Sequence, residues 1–463
     1  MRKSGLILIG FWALGACGGL ARSAEPTNVL LIMTDDQGAW SLGCYGDSDA
    51  ATPTIDTLAS EGVRFTRAFA TSPVCSPSRA TYYTGRIPSQ HGIHDWIKNE
   101  NDGPRARFCL PDEVLLSAVL KANGYTCGLS GKWHLGDNGT RPPSYDFWFA
   151  MPTGGSAYQD AEMYWQGRKI RTEGYLTDRI TDKAIEFLDT AGDGPFFLNV
   201  QYNAPHSPYT GHPAELLDLY RDSSFESIPR LPAHPWSIRT PAQLANRDNL
   251  VAYFAACTGV DRGVARILER LEERGLADNT LVIYTSDQGF CCGHHGLWGK
   301  GNASNPRNMY DTSMRVPLIF RHPGRLPAGR TTDVLFGAYD LLPTVLDYLG
   351  LPLPEGRNLP GRSFAAALAG EPFDAPDAVF GEYARTRAIR TEDFKFVHRC
   401  DGGPDELYDL RNDPDEAHNL IDEPDHRPRM LTLRDRLFAW FERYAEVGAD
   451  PVGNEYLRPA DRK

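Results

Sequence analysis

Three apolar runs in this sequence each stop abruptly at a cluster of chemically active residues. Asn28-Val29-Leu30-Leu31-Ile32-Met33-Thr34 meets Asp35-Asp36-Gln37-Gly38. Phe196-Phe197-Leu198-Asn199-Val200-Gln201-Tyr202 meets Asn203-Ala204-Pro205-His206, and Leu281-Val282-Ile283-Tyr284-Thr285 meets Ser286-Asp287-Gln288-Gly289. A weaker run, Gly124 to Leu129, leads to Gly131-Lys132-Trp133-His134. Runs of this kind, without polar alternation, are expected where a strand is covered on both faces, as in a parallel sheet flanked by helices. Helical patterns separate them at 111–122, 176–188 and 250–271. In the last, Tyr253, Phe254, Cys257, Val260, Val264, Ile267 and Leu268 recur at helical spacing. The alternation predicts an α/β domain with a large, mostly parallel central sheet. Ligands of such sheets bind beyond the carboxyl ends of the strands. Asp35, Asp36, His206, Asp287 and Gln288, with Lys132 and His134, all fall there.

The texture changes after Phe364. Residues 366–378 are small, charged and Pro-containing, and read as a linker between a domain at 25–365 and a C-terminal subdomain at 379–463. Short strand-like pieces at Val379-Phe380, Arg387–Arg390, Phe394–His398 and Leu407–Leu410, then a helix from Arg427 to Glu446, predict a small antiparallel α+β unit. At the other end, Arg2 and Lys3 precede Leu6–Leu14, an apolar stretch too short to span a bilayer, so 1–24 reads as an export signal. Two processing routes are open. Ala21-Arg22-Ser23-Ala24 suits ordinary cleavage, whereas Leu14-Gly15-Ala16-Cys17 resembles a bacterial lipoprotein box in which Cys17 is lipidated. The expected location is periplasmic, extracellular or, with Cys17 lipidated, envelope-anchored. No later segment reads as transmembrane.

Lys and Arg total 48 against 60 Asp and Glu, a net charge of −12. That balance argues against nucleic acid or an anionic membrane as partner. A polyanionic substrate would need a locally basic pocket on this acidic body. The 9 cysteines show no paired CxxC metal knuckle, and their pairing is not legible from spacing.

Val74-Cys75-Ser76-Pro77-Ser78-Arg79-Ala80-Thr81-Tyr82-Tyr83-Thr84-Gly85-Arg86 is long and ordered. It resembles the signature of the type I, formylglycine-dependent sulfatases, whose fold is alkaline phosphatase-like. The resemblance implies that a maturation enzyme oxidises Cys75 to the aldehyde formylglycine. Pro77 suits a first helical turn, so Cys75 is expected just before a helix N-terminus, where an anion is favoured. A hydrated aldehyde carries two hydroxyls on one carbon. One attacks sulfur, and the other can later expel sulfate, an exit that plain Ser or Cys lacks.

Asp35, Asp36, Asp287 and Gln288 offer oxygen donors only, which suits Ca²⁺ or Mg²⁺ better than Zn²⁺. The family implies Ca²⁺, with modified Cys75 in its shell; Gln288 stands where the family often has Asn or His. By resemblance, Arg79 bonds the hydrated aldehyde, Lys132 and Lys300 bind sulfate, His134 handles the second hydroxyl's proton, and His206 protonates the departing alcohol. Lys300 closes Gly293-His294-His295-Gly296-Leu297-Trp298-Gly299-Lys300, in which neither His294 nor His295 is assigned a role. Glu406 to Leu410 resembles the family's C-terminal subdomain. The likeness is weakest at 138–175 and 211–245, expected to be substrate-side insertions.

The resulting expectation is hydrolysis of a sulfate ester, with export pointing to a sulfated carbohydrate. Two rivals stand beside it. One is a phosphoesterase or phosphonate monoester hydrolase of the same superfamily. The other is a non-catalytic binder of sulfated glycans, should Cys75 stay unmodified. His91, His94, Asp95, Trp96 and Arg385 suit a sugar subsite by residue type, and are assigned no role.

Overall fold

The structure is a computed structural model that describes residues 26–452. The export signal and Cys17 lie outside the described residues. No helix among the described residues is long and apolar enough to cross a membrane.

The apolar runs are strands. In chain order the first eight are β1 (Asn28–Asp35), β2 (Val63–Phe69), β3 (Thr126–Gly131), β4 (Phe147–Ala150), β5 (Glu162–Trp165), β6 (Arg168–Arg171), β7 (Phe196–Pro205) and β8 (Thr280–Ser286). They join an 11-stranded sheet in the order Arg330–Thr332, β2, Arg315–Arg321, β8, β1, β7, β3, β4, β5, β6, with Phe336–Gly337 also on β2. From β8 through β1, β7 and β3 to β4 every pairing is parallel. Antiparallel partners flank this block: Arg315–Arg321 beside β8, and the β5–β6 hairpin beyond β4.

Register places the chemistry. Thr34 pairs with Ser286 and Asp35 with Pro205, so Asp36, Asp287 and His206 emerge side by side as their strands end. Gly131 pairs with Gln201, which brings Lys132 to the same edge. Both faces of β1 are covered. Leu30 and Ile32 pack with helices Leu176–Thr190 and Arg247–Glu273, while Val29, Leu31 and Met33 pack with helices Cys75–Thr84 and Leu341–Tyr348. Each of these five side chains is at most 1% exposed, contributing roughly 1.5–3 kcal/mol apiece.

Local chemistry moved several boundaries. Helix Arg247–Glu273 starts before residue 250 because the Asn246 side chain accepts from the Asp248 and Asn249 N–H groups. The helix expected at 111–122 begins only at Leu116, since Glu113 is drawn to Arg86, 3.0 Å away. The stretch read as a linker holds a helical turn, Ala365–Ala369, whose Ala367 and Leu368 are buried. The region 138–175 supplies β4 and the β5–β6 hairpin, which were not anticipated.

In the C-terminal part, Ala378–Tyr383, Thr386–Thr391, Phe394–Arg399 and Glu406–Asp409 pair antiparallel in chain order. Helix Arg427–Tyr444 lays Leu433, Leu437 and Phe441 against Ile389, Phe396 and Leu407. A buried ion cluster ties this part to the large domain. Lys395 Nζ donates to Asp311, 3.0 Å away, and to Glu416. Glu416 also accepts from the Asp311 N–H at 2.6 Å.

Lys395→Ala would leave two buried carboxylates facing each other. We expect it to cost about 3–5 kcal/mol, seen as a lower urea midpoint; an unchanged midpoint would refute the clamp. A second test concerns pH. Burial pulls His398 down, but the Asp405 carboxylate 2.9 Å away outweighs it and lifts the imidazole from 6.5 to about 9. Its folded-state value is raised, so the stability it adds is fully present below 6.5 and is lost as pH climbs to about 9. Asp405→Asn should therefore flatten the fall in unfolding midpoint across that window.

Candidate active site

Helix Cys75–Thr84 is buried along its whole length. Cys75 is its first residue, one place later than the position before the helix that the motif suggested, and the extended Val74 is the cap. Pro77 occupies the first turn, where its missing N–H is not needed. Burial pushes the Cys75 thiol up, against the pull of the Lys132 and Lys300 charges. An unmodified cysteine here is a protonated thiol and a weak nucleophile.

Asp35, Asp36, Asp287 and Gln288 converge, all buried, at the ends of β1 and β8. Asp287 Oδ1 accepts from the N–H groups of Asp36 at 3.3 Å and Gln288 at 2.9 Å. Its Oδ2 accepts from Arg79 Nε at 2.8 Å. Lys132 Nζ donates to Asp35 Oδ2. Lys300 Nζ lies 2.5 Å from Asp36 Oδ1 and 3.8 Å from Asp35 Oδ1. Burial alone would push Asp35 up, but the charges of Lys132, His206, Lys300 and Arg79 hold it well below the usual carboxylate range. Burial and the Asp35 charge push Asp287 the other way. Carboxylates this close in a dry site demand compensating positive charge.

The donor set fits a hard divalent cation. Gln288 Nε2 touches Asp36 Oδ1 and lies 3.4 Å from Asp35 Oδ1. Its Oε1 is buried without a hydrogen-bond partner. Half a turn of the amide would set that oxygen beside the two carboxylates, a cluster of oxygens that a divalent cation would reconcile. Ligand atoms of Asp35, Asp36 and His206 also lie within 4.8 Å of one another.

Two histidines border the cluster. His134 is buried, and its Nε2–H donates to the Ile97 carbonyl at 3.0 Å, which leaves Nδ1 as a bare, unpartnered nitrogen. Burial and the Lys132 charge hold His134 well below its ordinary value, so the ring is neutral. His206 donates from Nδ1 to the Ser207 carbonyl at 2.7 Å, and its Nε2 stands 3.8 Å from Asp36. Lys300 is brought in by a close backbone approach. Gly301 N–H donates to the Pro73 carbonyl at 3.0 Å, two residues before Cys75, and a Cβ on Gly301 would strike the Pro73 ring.

Residues 27–351 match the sulfatase family model. The chain belongs to the sulfatase family. Residues 293–442 also match the C-terminal region of N-sulphoglucosamine sulphohydrolase. Among curated relatives, the sulfatase YidJ of Escherichia coli K12 is 34% identical, over 83% of this chain and 81% of its own length. The N-acetylglucosamine-6-O-sulfatase of Bacteroides thetaiotaomicron is 28% identical, over 87% and 84%. A structure solved in complex with its substrate D-glucosamine-2-N,6-O-disulfate superposes with a TM-score of 0.76 at 26% identity, covering 92% of this chain and 99% of that one. With the sheet order above, these make the chain a sulfuric ester hydrolase of alkaline phosphatase-like fold.

Other candidate residues of this sulfatase are occupied in the scaffold. His91 is buried beside Thr81, His94 bonds the Ala449 carbonyl at 2.6 Å, and Asp95 is held by Arg307 at 2.7 Å and Tyr383 at 3.0 Å. Arg385 bonds the Pro451 carbonyl at 2.9 Å, whereas Trp96 is 41% exposed. His294 packs 4.8 Å from Trp40 and His295 stacks 3.8 Å from Tyr310, and burial holds them down at about 4 and about 3. All eight cysteines among the described residues carry unpaired thiols.

Some supporting residues escaped the sequence reading. Gln201 Oε1 accepts from Arg79 Nη1 at 2.8 Å, and Asn199 reaches Tyr83 at 2.9 Å and Tyr145 at 3.2 Å. The signal was present: two amides inside an otherwise apolar run. Tyr253, read as a core residue, donates to the Asp36 carbonyl at 2.8 Å and accepts from Gly38 N–H at 3.2 Å. It thereby supports Asp36 in its left-handed conformation, φ 68°. Gly154 lies so close to His134 that a Cβ would overlap the ring, and a Cβ on Gly155 would come within 3.2 Å of His206.

Gly154→Ala should therefore displace the His134 ring. We expect kcat to fall by roughly 100-fold, the scale of an ångström misplacement, with the unfolding midpoint little changed. Unaltered kcat would show that the ring does not depend on this contact.

Proposed function

We propose that the chain hydrolyses a sulfate ester on a sulfated carbohydrate, with Cys75 oxidised to formylglycine and Ca²⁺ held by Asp35, Asp36, Asp287, Gln288 and the modified Cys75. The observation that carries this reading is the meeting of three carboxylates and three cations at the strand ends, with Cys75 under the charges of both sets. Mg²⁺ suits the same oxygen donors less well, because it keeps its waters and demands stricter octahedral geometry. The hydrated aldehyde supplies two hydroxyls on one carbon, one to attack sulfur and one to expel sulfate. A cation bound by these residues would lower the hydroxyl pKa and offset the sulfate charge.

The chain's own residues do the rest. Lys132 and Lys300 lie against Asp35 and Asp36 and can turn their ammonium groups to sulfate oxygens once those acids are neutralised. Arg79 sits one helical turn after Cys75, and its Nη2 is free of hydrogen bonds and 3.9 Å from Asp35 Oδ2. It is the donor for the hydrate. The bare Nδ1 of His134 accepts the proton of the second hydroxyl. His206 lines the cavity that opens over Lys300; charged as imidazolium, a form burial opposes and the Asp35 and Asp36 charges favour, it gives the proton on Nε2 to the departing alcohol and is left neutral with Nδ1–H on the Ser207 carbonyl. The names of the relatives support a sulfated saccharide as substrate. The leader at 1–24, cleaved or lipidated at Cys17, supports action outside the cytoplasm, and a formylglycine-generating enzyme is the transient partner.

Mass spectrometry of the peptide carrying Cys75, after expression with the maturation enzyme, should show a loss of about 18 Da relative to the thiol. The matured protein should turn over an aryl sulfate far faster than an aryl phosphate. Chelation should abolish that turnover and added Ca²⁺ restore it. Intact Cys75 with no sulfate release would favour a glycan binder, and preference for the phosphate would favour a phosphoesterase.

A further inference from the structure

The cavity above Asp36, His206 and Lys300 has a volume of about 380 Å³. One wall is aromatic, with the Tyr209 and Trp298 rings edge to face at 5.5 Å. The lining also includes Arg239, Gln243, Asn249 and Asn302. Asp36 is the one carboxylate among the lining residues, and Lys300 lies against it. On a chain of net charge −12, this lining therefore carries Arg239 and Lys300 against a single acid.

Arg239 belongs to the stretch 211–245, where likeness to the family is weakest, yet its backbone is held firmly. Ser237 and Ser304 form an antiparallel bridge, Ile238 N–H donates to the Ala303 carbonyl at 3.1 Å, and Asn305 N–H donates to the Trp236 carbonyl at 2.8 Å. Arg239 N–H donates to Ser237 Oγ at 3.1 Å. The strapped partner is the Lys300 loop itself, since Ala303 N–H donates to the Lys300 carbonyl at 2.8 Å. The Arg239 position is thus referenced, through a few backbone bonds, to Lys300.

Its side chain has no such ties. Arg221, Arg266 and Arg270 each meet an acid at 2.5–2.6 Å. Arg239 is exposed and has no acidic partner among the described residues. A guanidinium presents a rigid fork matched to an oxyanion.

We propose that Arg239 is a specificity residue that receives a second anionic group, sulfate or carboxylate, on the saccharide whose scissile sulfate lies at Lys300. The preferred substrates are then saccharides bearing two charged groups. This rests on the sulfatase reading of the previous subsection.

The test uses full-length protein with formylglycine confirmed, as wild type, Arg239→Ala and Arg239→Lys. Substrates are an aryl sulfate, a monosulfated monosaccharide, its disulfated counterpart and a monosulfated disaccharide bearing a uronate. For Arg239→Ala, the ratio of kcat/KM between the dianionic and the monoanionic saccharide should fall roughly tenfold or more, the scale of one charge-assisted hydrogen bond, mostly through KM. Arg239→Lys should recover part of it. Whichever dianion shows the fall identifies the group bound. Ratios unchanged for both dianions, with turnover intact, would overturn this inference alone. No turnover of any sulfate ester by the matured wild type would overturn the sulfatase reading and the inference with it.

Discussion

Three carboxylates are buried side by side, and their mutual repulsion organises what surrounds them. Asp35, Asp36 and Asp287 are brought together by strand register alone, because β1 lies between β7 and β8 and all three strands finish level. The backbone offsets little of that charge, through the Asp36 and Gln288 N–H groups on Asp287. The offset comes from side chains on other elements: Arg79 from the helix that begins at Cys75, Lys132 from the end of β3, and Lys300 from a loop pinned to Pro73. Remove any one and the remaining acids are left partly unpaired at low dielectric, where single charges are costly. In the proposed reading the same cations also bind the sulfate, so stability and substrate binding would draw on one set of residues.

Below this layer, a buried network fixes directions. Gln201 and Asn199 connect Arg79 to Tyr83 and Tyr145, and Tyr253 holds the turn through Asp36. Above it the walls are of a different kind. They come in part from the stretch 211–245, which supplies Arg239 and Gln243, and in part from the segments carrying Tyr209, Phe290 and Trp298. The charged cluster thus rests on strand ends, whereas much of the cavity lining comes from the loops beyond them.

The sheet was legible in the sequence because apolar runs without alternation have few other uses, and the site was legible because each run ended in residues rarely placed there by chance. Cys75 with its neighbours was legible through motif alone; no periodicity points to it. Other features were hidden for identifiable reasons. Gly154 lies against His134 through a tertiary contact between separate loops, and a glycine's absent side chain leaves no pattern. Tyr253 fits a helical core stripe so well that its hydroxyl went unremarked. The turn Ala365–Ala369 was submerged in a Pro- and charge-rich stretch, and the β5–β6 hairpin lay where family likeness fades.

Cys75 is only 4% exposed, and its helix is enclosed on every side. A separate catalyst the size of a protein has no route to that sulfur in the finished fold. If the side chain is converted, as proposed, conversion must precede closure of the sheet over the helix, while the segment is still an extended peptide. On that reading the order of biosynthetic events would be chain emergence, then oxidation, then collapse. A molecule that collapses too early is locked as a well-folded but permanently inert thiol form.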